Sequence, residues 1–162
     1  MAGWFEGKVA LVTGGSSGIG KASALAFARE GAKIIIADIN VEGGEETVRM
    51  IKEAGSEAIF VKTDVSKAVE VEAMVNKAIE TYGRLDCAFN NAGIAGDRAL
   101  TADCTEENWD RIINTNLKGI WLCMKYEIPW MLKQGSGAIV NTSSGWGLVG
   151  TADGAPAYVA SK

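Results

Sequence analysis

Tyr158 and Lys162 stand four residues apart, so on a helix their side chains share one face. A free phenol titrates near ~10, too high for proton transfer at neutral pH, and an adjacent ammonium favours the phenolate. Such a pair is a workable acid and base in a chain that contains no histidine. The same absence removes Ser-His-Asp and Cys-His mechanisms and every His-containing metal site. Cys87, Cys104 and Cys123 form no C-x-x-C pair, and their spacing fits reduced thiols better than a zinc site or disulfide framework, so no metal is expected.

A second chemical feature lies near the start. Thr13-Gly14-Gly15-Ser16-Ser17-Gly18-Ile19-Gly20 follows a short apolar run and opens a helical one. Glycines there permit a tight turn and let backbone N–H groups approach a pyrophosphate, which rests against the positive end of the helix dipole. Residues 15–21 also satisfy G-x-x-x-x-G-K, the loop of nucleotide hydrolases. The Ser or Thr that should follow to hold magnesium is Ala22, which argues against that reading. Asp38 lies 18 residues past Gly20, where a carboxylate accepts hydrogen bonds from both hydroxyls of an adenosine ribose and repels a 2′-phosphate. Ile39 and Asn40 supply no compensating cation, so NAD is favoured over NADP.

The elements that must position these groups alternate along the chain. Strands are expected over 8–13, 33–38, 57–63, 85–89 and 137–142. Between them fall helices over 19–30, 41–54, 67–82 (capped by Ser66) and a long helical region over 105–133. Gly31, Gly55 and Gly83 are the expected helix stops, and Ala22, Leu25, Ala26 and Ala28 the expected inner face of the first helix. Segment 145–156 reads as loop. Near-continuous apolar strands must be buried on both faces, which makes this an α/β chain with a doubly wound parallel sheet, read as a single domain over 1–162. The first strand then delivers the glycine turn, the fourth Asn90-Asn91-Ala92-Gly93, and the fifth Ser143-Ser144, all at carboxyl strand ends.

Composition agrees. Of 162 residues, 48% are hydrophobic and 22% charged, the pattern of a soluble globular domain. The net charge of −4 argues against a nucleic-acid or anionic-membrane partner. The start, Met1-Ala2-Gly3-Trp4-Phe5-Glu6, lacks a secretory pattern, and no stretch has the ~20 apolar residues of a membrane span, so the expected location is cytoplasmic.

T-G-G-S-S-G-I-G, Asp38, Asp64-Val65, N-N-A-G, Asn116 in N-L-K-G, the serine after strand five and Y-V-A-S-K together resemble the short-chain dehydrogenase/reductase family, in order and over essentially the whole chain. The resemblance implies a Rossmann fold and an NAD-dependent oxidoreductase that interconverts a secondary alcohol and a ketone. Tyr158 would be general acid in reduction and base in oxidation; Lys162 would lower its pKa and hold the nicotinamide ribose. Ser144 would orient the substrate oxygen, with Ser143 the alternative, because only one of two neighbouring strand residues can face the site. Asn116, with Asn114 as fallback, would support a proton relay. Gly14, Ser16, Ser17, Gly18, Ile19, Gly20, Asp38, Ile39, Asp64, Val65, Asn90, Ala92, Gly93, Tyr158 and Lys162 would contact the cofactor. Trp146 is a candidate for substrate contact, whereas Trp109, Trp121 and Trp130 are expected to pack the long helix.

Two departures accompany the resemblance. Ser144 precedes Tyr158 by 14 residues, one more than the family interval, and the extra residue is expected in the loop Thr151-Ala152-Asp153-Gly154. Family members also continue well past the position of Lys162, so further strands and the substrate loop are expected beyond it, the fold here lacking its C-terminal part. As an isolated fragment, the chain would have a frayed Lys162 and an exposed fifth strand, with poor solubility and negligible turnover. The competing reading is therefore a dinucleotide-binding module without turnover. The resemblance further implies a homotetramer built partly on the long helix.

Overall fold

The computed structural model describes residues 3–152 and 154–162. Five strands, β1 (Val9–Thr13), β2 (Lys33–Asp38), β3 (Ala58–Lys62), β4 (Cys87–Asn90) and β5 (Ala138–Asn141), form one parallel sheet in the order β3-β2-β1-β4-β5. The apolar runs are buried twice, as their composition requires. On β1, Val9 and Leu11 enter one core while Ala10 and Val12 enter the other; on β2, Ile35 and Ile34 divide the same way. One face carries helices α1 (Gly18–Arg29) and α2 (Val41–Glu53), and the other α3 (Ala68–Tyr82) and α5 (Gly119–Gln134). The direction of winding reverses between β1 and β4, so the crevice of this Rossmann fold opens at their carboxyl ends.

Gly31, Gly55 and Gly83 all take the left-handed φ that ends a helix. The inner face of α1 differs from expectation. Gly20, Ala24 and Ala28 are buried, Leu25 is half-buried, and Ala22 and Ala26 face solvent. What selects this face is Gly20, which lies against the Gly14 carbonyl where no Cβ fits, so Ala24 and Ala28, one and two turns on, face the sheet with it. Ser66 does not cap α3. Its hydroxyl donates to Asp64 Oδ1 at 2.7 Å, closing a turn at the end of β3, and Lys67 stands at the N-cap without a side-chain bond.

The long helical region is two α-helices, α4 (Glu106–Ile113) and α5, joined by a π-helical turn at Asn114–Lys118. Such a turn admits one extra residue without ending the helix, and it often marks a functional position. Trp130 packs against the core, but Trp109 and Trp121 are 40% and 52% exposed and do not pack as expected. Segment 145–156 contains a single helical turn, α6 (Trp146–Val149), before α7 (Pro156–Ser161) starts on Pro156. Met1, Ala2 and Asp153, which belong to the expected start and the expected insertion loop, lie outside the described residues. Among those described, no helix is long and apolar enough to cross a membrane.

Candidate functional site

The glycine turn is held by its neighbours rather than by its own side chains. Gly14, at φ +68°, donates its N–H to Ala37 of β2 at 2.8 Å. A Cβ there would come within 3.0 Å of Ala92 Cα, because the turn lies directly against the segment after β4. That segment is pinned by one hydroxyl: Thr13 Oγ1 accepts from the N–H groups of both Asn91 (3.0 Å) and Ala92 (3.1 Å). Ser17 is the N-cap of α1 yet makes no side-chain cap bond, so the first N–H groups of the helix remain available to a ligand.

Asp38 closes β2 beside this turn. Its Oδ2 accepts from Ser16 N–H at 3.0 Å and its Oδ1 from Asn40 N–H at 2.9 Å, fixing the carboxylate at the crevice rim. Asp64 lies two residues past the end of β3, nearby. Burial alone would raise its pKa, but the Ser66 hydrogen bonds and the Lys67 ammonium bring it below the usual carboxylate range. Val65 is buried against Gly119 at the start of α5.

Across the crevice, α7 presents Tyr158 and Lys162. The ammonium lies 6.0 Å from the Tyr158 ring centroid and donates to the Thr142 carbonyl at 3.0 Å. Lys162 is half-buried, which pushes its pKa below that of an ordinary lysine. Trp146 meets Tyr158 edge-on at 5.8 Å, and the Arg98 guanidinium lies 5.8 Å from the Trp146 ring. Ser144 Oγ accepts from Trp146 N–H at 3.3 Å.

One cleft of about 1040 Å³ contains most of the expected residues. Gly14, Ser16, Ser17, Gly18 and Ile19 line its glycine end, Asp38, Ile39, Asp64 and Val65 one side, and Ala92, Gly93, Ser144, Tyr158 and Lys162 the other. Ser144 lines it and Ser143 does not. Gly20, Asn90 and Asn116 stand behind the wall. Gly20 lets α1 touch the Gly14 carbonyl, where any Cβ would collide. Asn116, in the π turn, is fully buried. It accepts from Ile94 N–H at 2.8 Å and donates to Ile94 O (2.9 Å) and Ser161 Oγ (3.1 Å), which uses both its N–H bonds. Asn114 lines the cleft instead.

Sequence reasoning passed over Thr13 as a clamp, and Thr142 and Arg111 as lining residues; Arg98 falls in the segment 94–100, which the sequence offers as pocket lining. Thr13 and Thr142 adjoin motifs already singled out, so their strand-end positions were a usable signal. Arg111 comes from α4, which carries no pattern of its own.

A family model described as short chain dehydrogenase matches residues 8–162. The cyclohexanol dehydrogenase of Acinetobacter sp. (strain SE19) is 41% identical over 162 residues, all of this chain and 64% of that protein. The crystal structure of levodione reductase superimposes with a TM-score of 0.94 at 38% identity, covering 97% of this chain and 61% of that one. NAD+-bound xylitol dehydrogenase gives a TM-score of 0.95 at 36% identity, covering 98% and 61%. The chain thus spans between half and two thirds of the length of these proteins.

Proposed function

Because the chain belongs to the short chain dehydrogenase family, we propose that it carries the cofactor site and the acid/base pair of a cytoplasmic NAD-dependent oxidoreductase that interconverts a secondary alcohol and a ketone. The observation that carries this reading is the presence of Tyr158 and Lys162 in the same cleft as the glycine turn. The residues fit a dinucleotide: free N–H groups at the start of α1 suit a pyrophosphate, and the Asp38 carboxylate at the rim suits an unphosphorylated ribose. When bound, the nicotinamide would supply or accept the hydride.

The rest is done by side chains of this chain. Tyr158 Oη gives its proton to the substrate oxygen in reduction and takes it back in oxidation. Lys162, held by the Thr142 carbonyl, places a positive charge beside the developing negative charge on that oxygen. Ser144 donates a hydrogen bond that orients the substrate oxygen. Asn116 acts from behind, fixing Ile94 at the cleft wall.

The test is the whole protein with NAD and a panel of secondary alcohols that includes cyclohexanol, read by the absorbance of reduced nicotinamide. NAD binding by calorimetry without turnover on any alcohol or ketone would replace this reading with that of a binding module. Asp38→Ala should weaken NAD about 10- to 100-fold, the loss of hydrogen bonds to a charged acceptor, and narrow the preference over NADP. Equal saturation curves for NAD and NADP in the unaltered protein would refute the role given to Asp38.

The exposed Trp121, Ile128 and Leu132 of α5 support self-association into a homo-oligomer, a tetramer by the family resemblance. Trp121→Glu should then shift the sedimentation coefficient toward the monomer.

A further inference from the structure

Glu127 lies in the middle of α5 and is fully buried, an unusual place for a carboxyl group. Its Oε2 accepts from Asn90 Nδ2 at 3.0 Å. Its Oε1 has no partner, and neither does Asn90 Oδ1, the other end of the same amide. Two side chains already joined through one atom each thus have a second acceptor each left over. Two bare acceptors are costly, but one proton satisfies both, because a carboxylic O–H can donate where a carboxylate cannot.

We infer that Glu127 is a positioning residue: its protonated carboxyl and the Asn90 amide form a two-bond ring that fixes the carboxyl ends of β4 and β5 and, through them, Lys162. The path is short. Asn90 Nδ2 also donates to Asn141 Oδ1 at 3.0 Å, and Asn90 and Asn141 are register partners. The Asn90 carbonyl accepts from Thr142 N–H at 3.0 Å, and the Thr142 carbonyl is the acceptor that holds Lys162 Nζ. Thr142 Oγ1 also reaches Asn91 Oδ1 at 3.3 Å.

The surroundings favour the neutral acid. The strands offer the uncharged amides of Asn90 and Asn141, and the core on this side is made of groups such as Leu11 on β1 and Val71, Met74 and Val75 on α3. The titratable neighbour is Cys123, one turn earlier on α5, whose thiol is pushed up by burial and by Glu127 itself. Burial raises the Glu127 carboxyl to about 7, with the Asn90 bond pulling the other way. Since the folded value exceeds the unfolded one, this group's stabilisation is full below the ordinary glutamate range and is lost as pH rises through about 7. Above that pH the ring opens and the Thr142 carbonyl is less firmly placed.

The link to Lys162 rests on the proposed oxidoreductase reading; the proton on Glu127 does not. Infrared spectra of the protein should show the carbonyl stretch of a protonated carboxyl at mildly acidic pH, fading as pH rises through neutrality and absent in Glu127→Gln. Glutamine can form the same two bonds without titrating, so Glu127→Gln should retain its thermal midpoint while losing the decline with rising pH. In the whole enzyme, Glu127→Gln should keep kcat and lose the corresponding limb of its pH profile. Glu127→Leu should lower kcat about 10- to 100-fold, with KM for NAD within about twofold. An unprotonated Glu127 in the infrared spectrum, or a Glu127→Gln protein as unstable as Glu127→Leu, overturns the ring. A ring confirmed by infrared, with kcat and its pH profile unaltered in Glu127→Leu, overturns the positioning role alone. If the enzyme turns over no alcohol, the spectrum and the thermal midpoints still decide the ring.

Discussion

Tyr158→Phe is expected to lower turnover by about 10²- to 10⁴-fold while leaving NAD affinity within about twofold, the effect of removing a positioned acid/base. The substitution deletes one oxygen and keeps the ring, so the edge-on contact with Trp146 survives. Lys162 is held by the Thr142 carbonyl rather than by the phenol, and should stay in place. The loss should therefore fall on kcat rather than on cofactor binding or fold. Steady-state kinetics, with calorimetric NAD titration and circular dichroism of both proteins, separates the cases. A variant that keeps more than about a tenth of its turnover, against the loss expected here, would remove Tyr158 from the chemistry.

Gly20→Val should have the largest structural effect. A Cβ at residue 20 runs into the Gly14 carbonyl and approaches Asn91 Nδ2 to 2.8 Å. The principal obstacle is backbone in the glycine turn, so it cannot swing aside as a long side chain would. Moving α1 outward would open the Gly20-Ala24-Ala28 face against the sheet and displace the N–H groups meant for the pyrophosphate. Overpacking of this kind costs about 1–3 kcal/mol, and NAD binding should be lost as well. The control is Ala22→Val, two residues on but exposed, which should cost no more than about 0.7 kcal/mol, the helix propensity of a β-branched residue, and leave NAD binding intact. Chemical denaturation and NAD calorimetry on both variants check the contrast; equal behaviour would show that the face of α1 has been assigned wrongly.

That contrast also shows how far the fold was legible in the sequence. The alternation of apolar strands and glycine-ended helices was readable because burial on two faces leaves an unmistakable pattern in runs such as KIIIAD. That the glycine turn, Asp38 and the Tyr158/Lys162 pair would meet in one cleft was readable because each sits at a strand end or at a helical spacing. The buried stripe of α1 was not, because hydrophobicity predicts which residues shun water but not how close two backbones must come. Ser66 had the composition of a cap but found a nearer acceptor in Asp64. The π turn at Asn114–Lys118 depends on contacts with Ile94 and Ser161 that are distant in sequence. Glu127, next to Lys125 and Tyr126 in α5, gives no local sign that it faces inward; its partner Asn90 lies 37 residues away.

The clamp made by the Thr13 hydroxyl has a temporal consequence. Its acceptor oxygen is made early in synthesis, whereas the Asn91 amide it receives comes 78 residues later. At about 5–20 residues per second, a ribosome takes roughly 4–16 s to make the intervening chain. As that interval proceeds β2 can pair with β1 and then β3 with β2, but the glycine turn still faces an unfilled slot in the sheet. The nascent protein therefore acquires its nucleotide pocket as a late event, after half of its hydrophobic scaffold has had time to collapse.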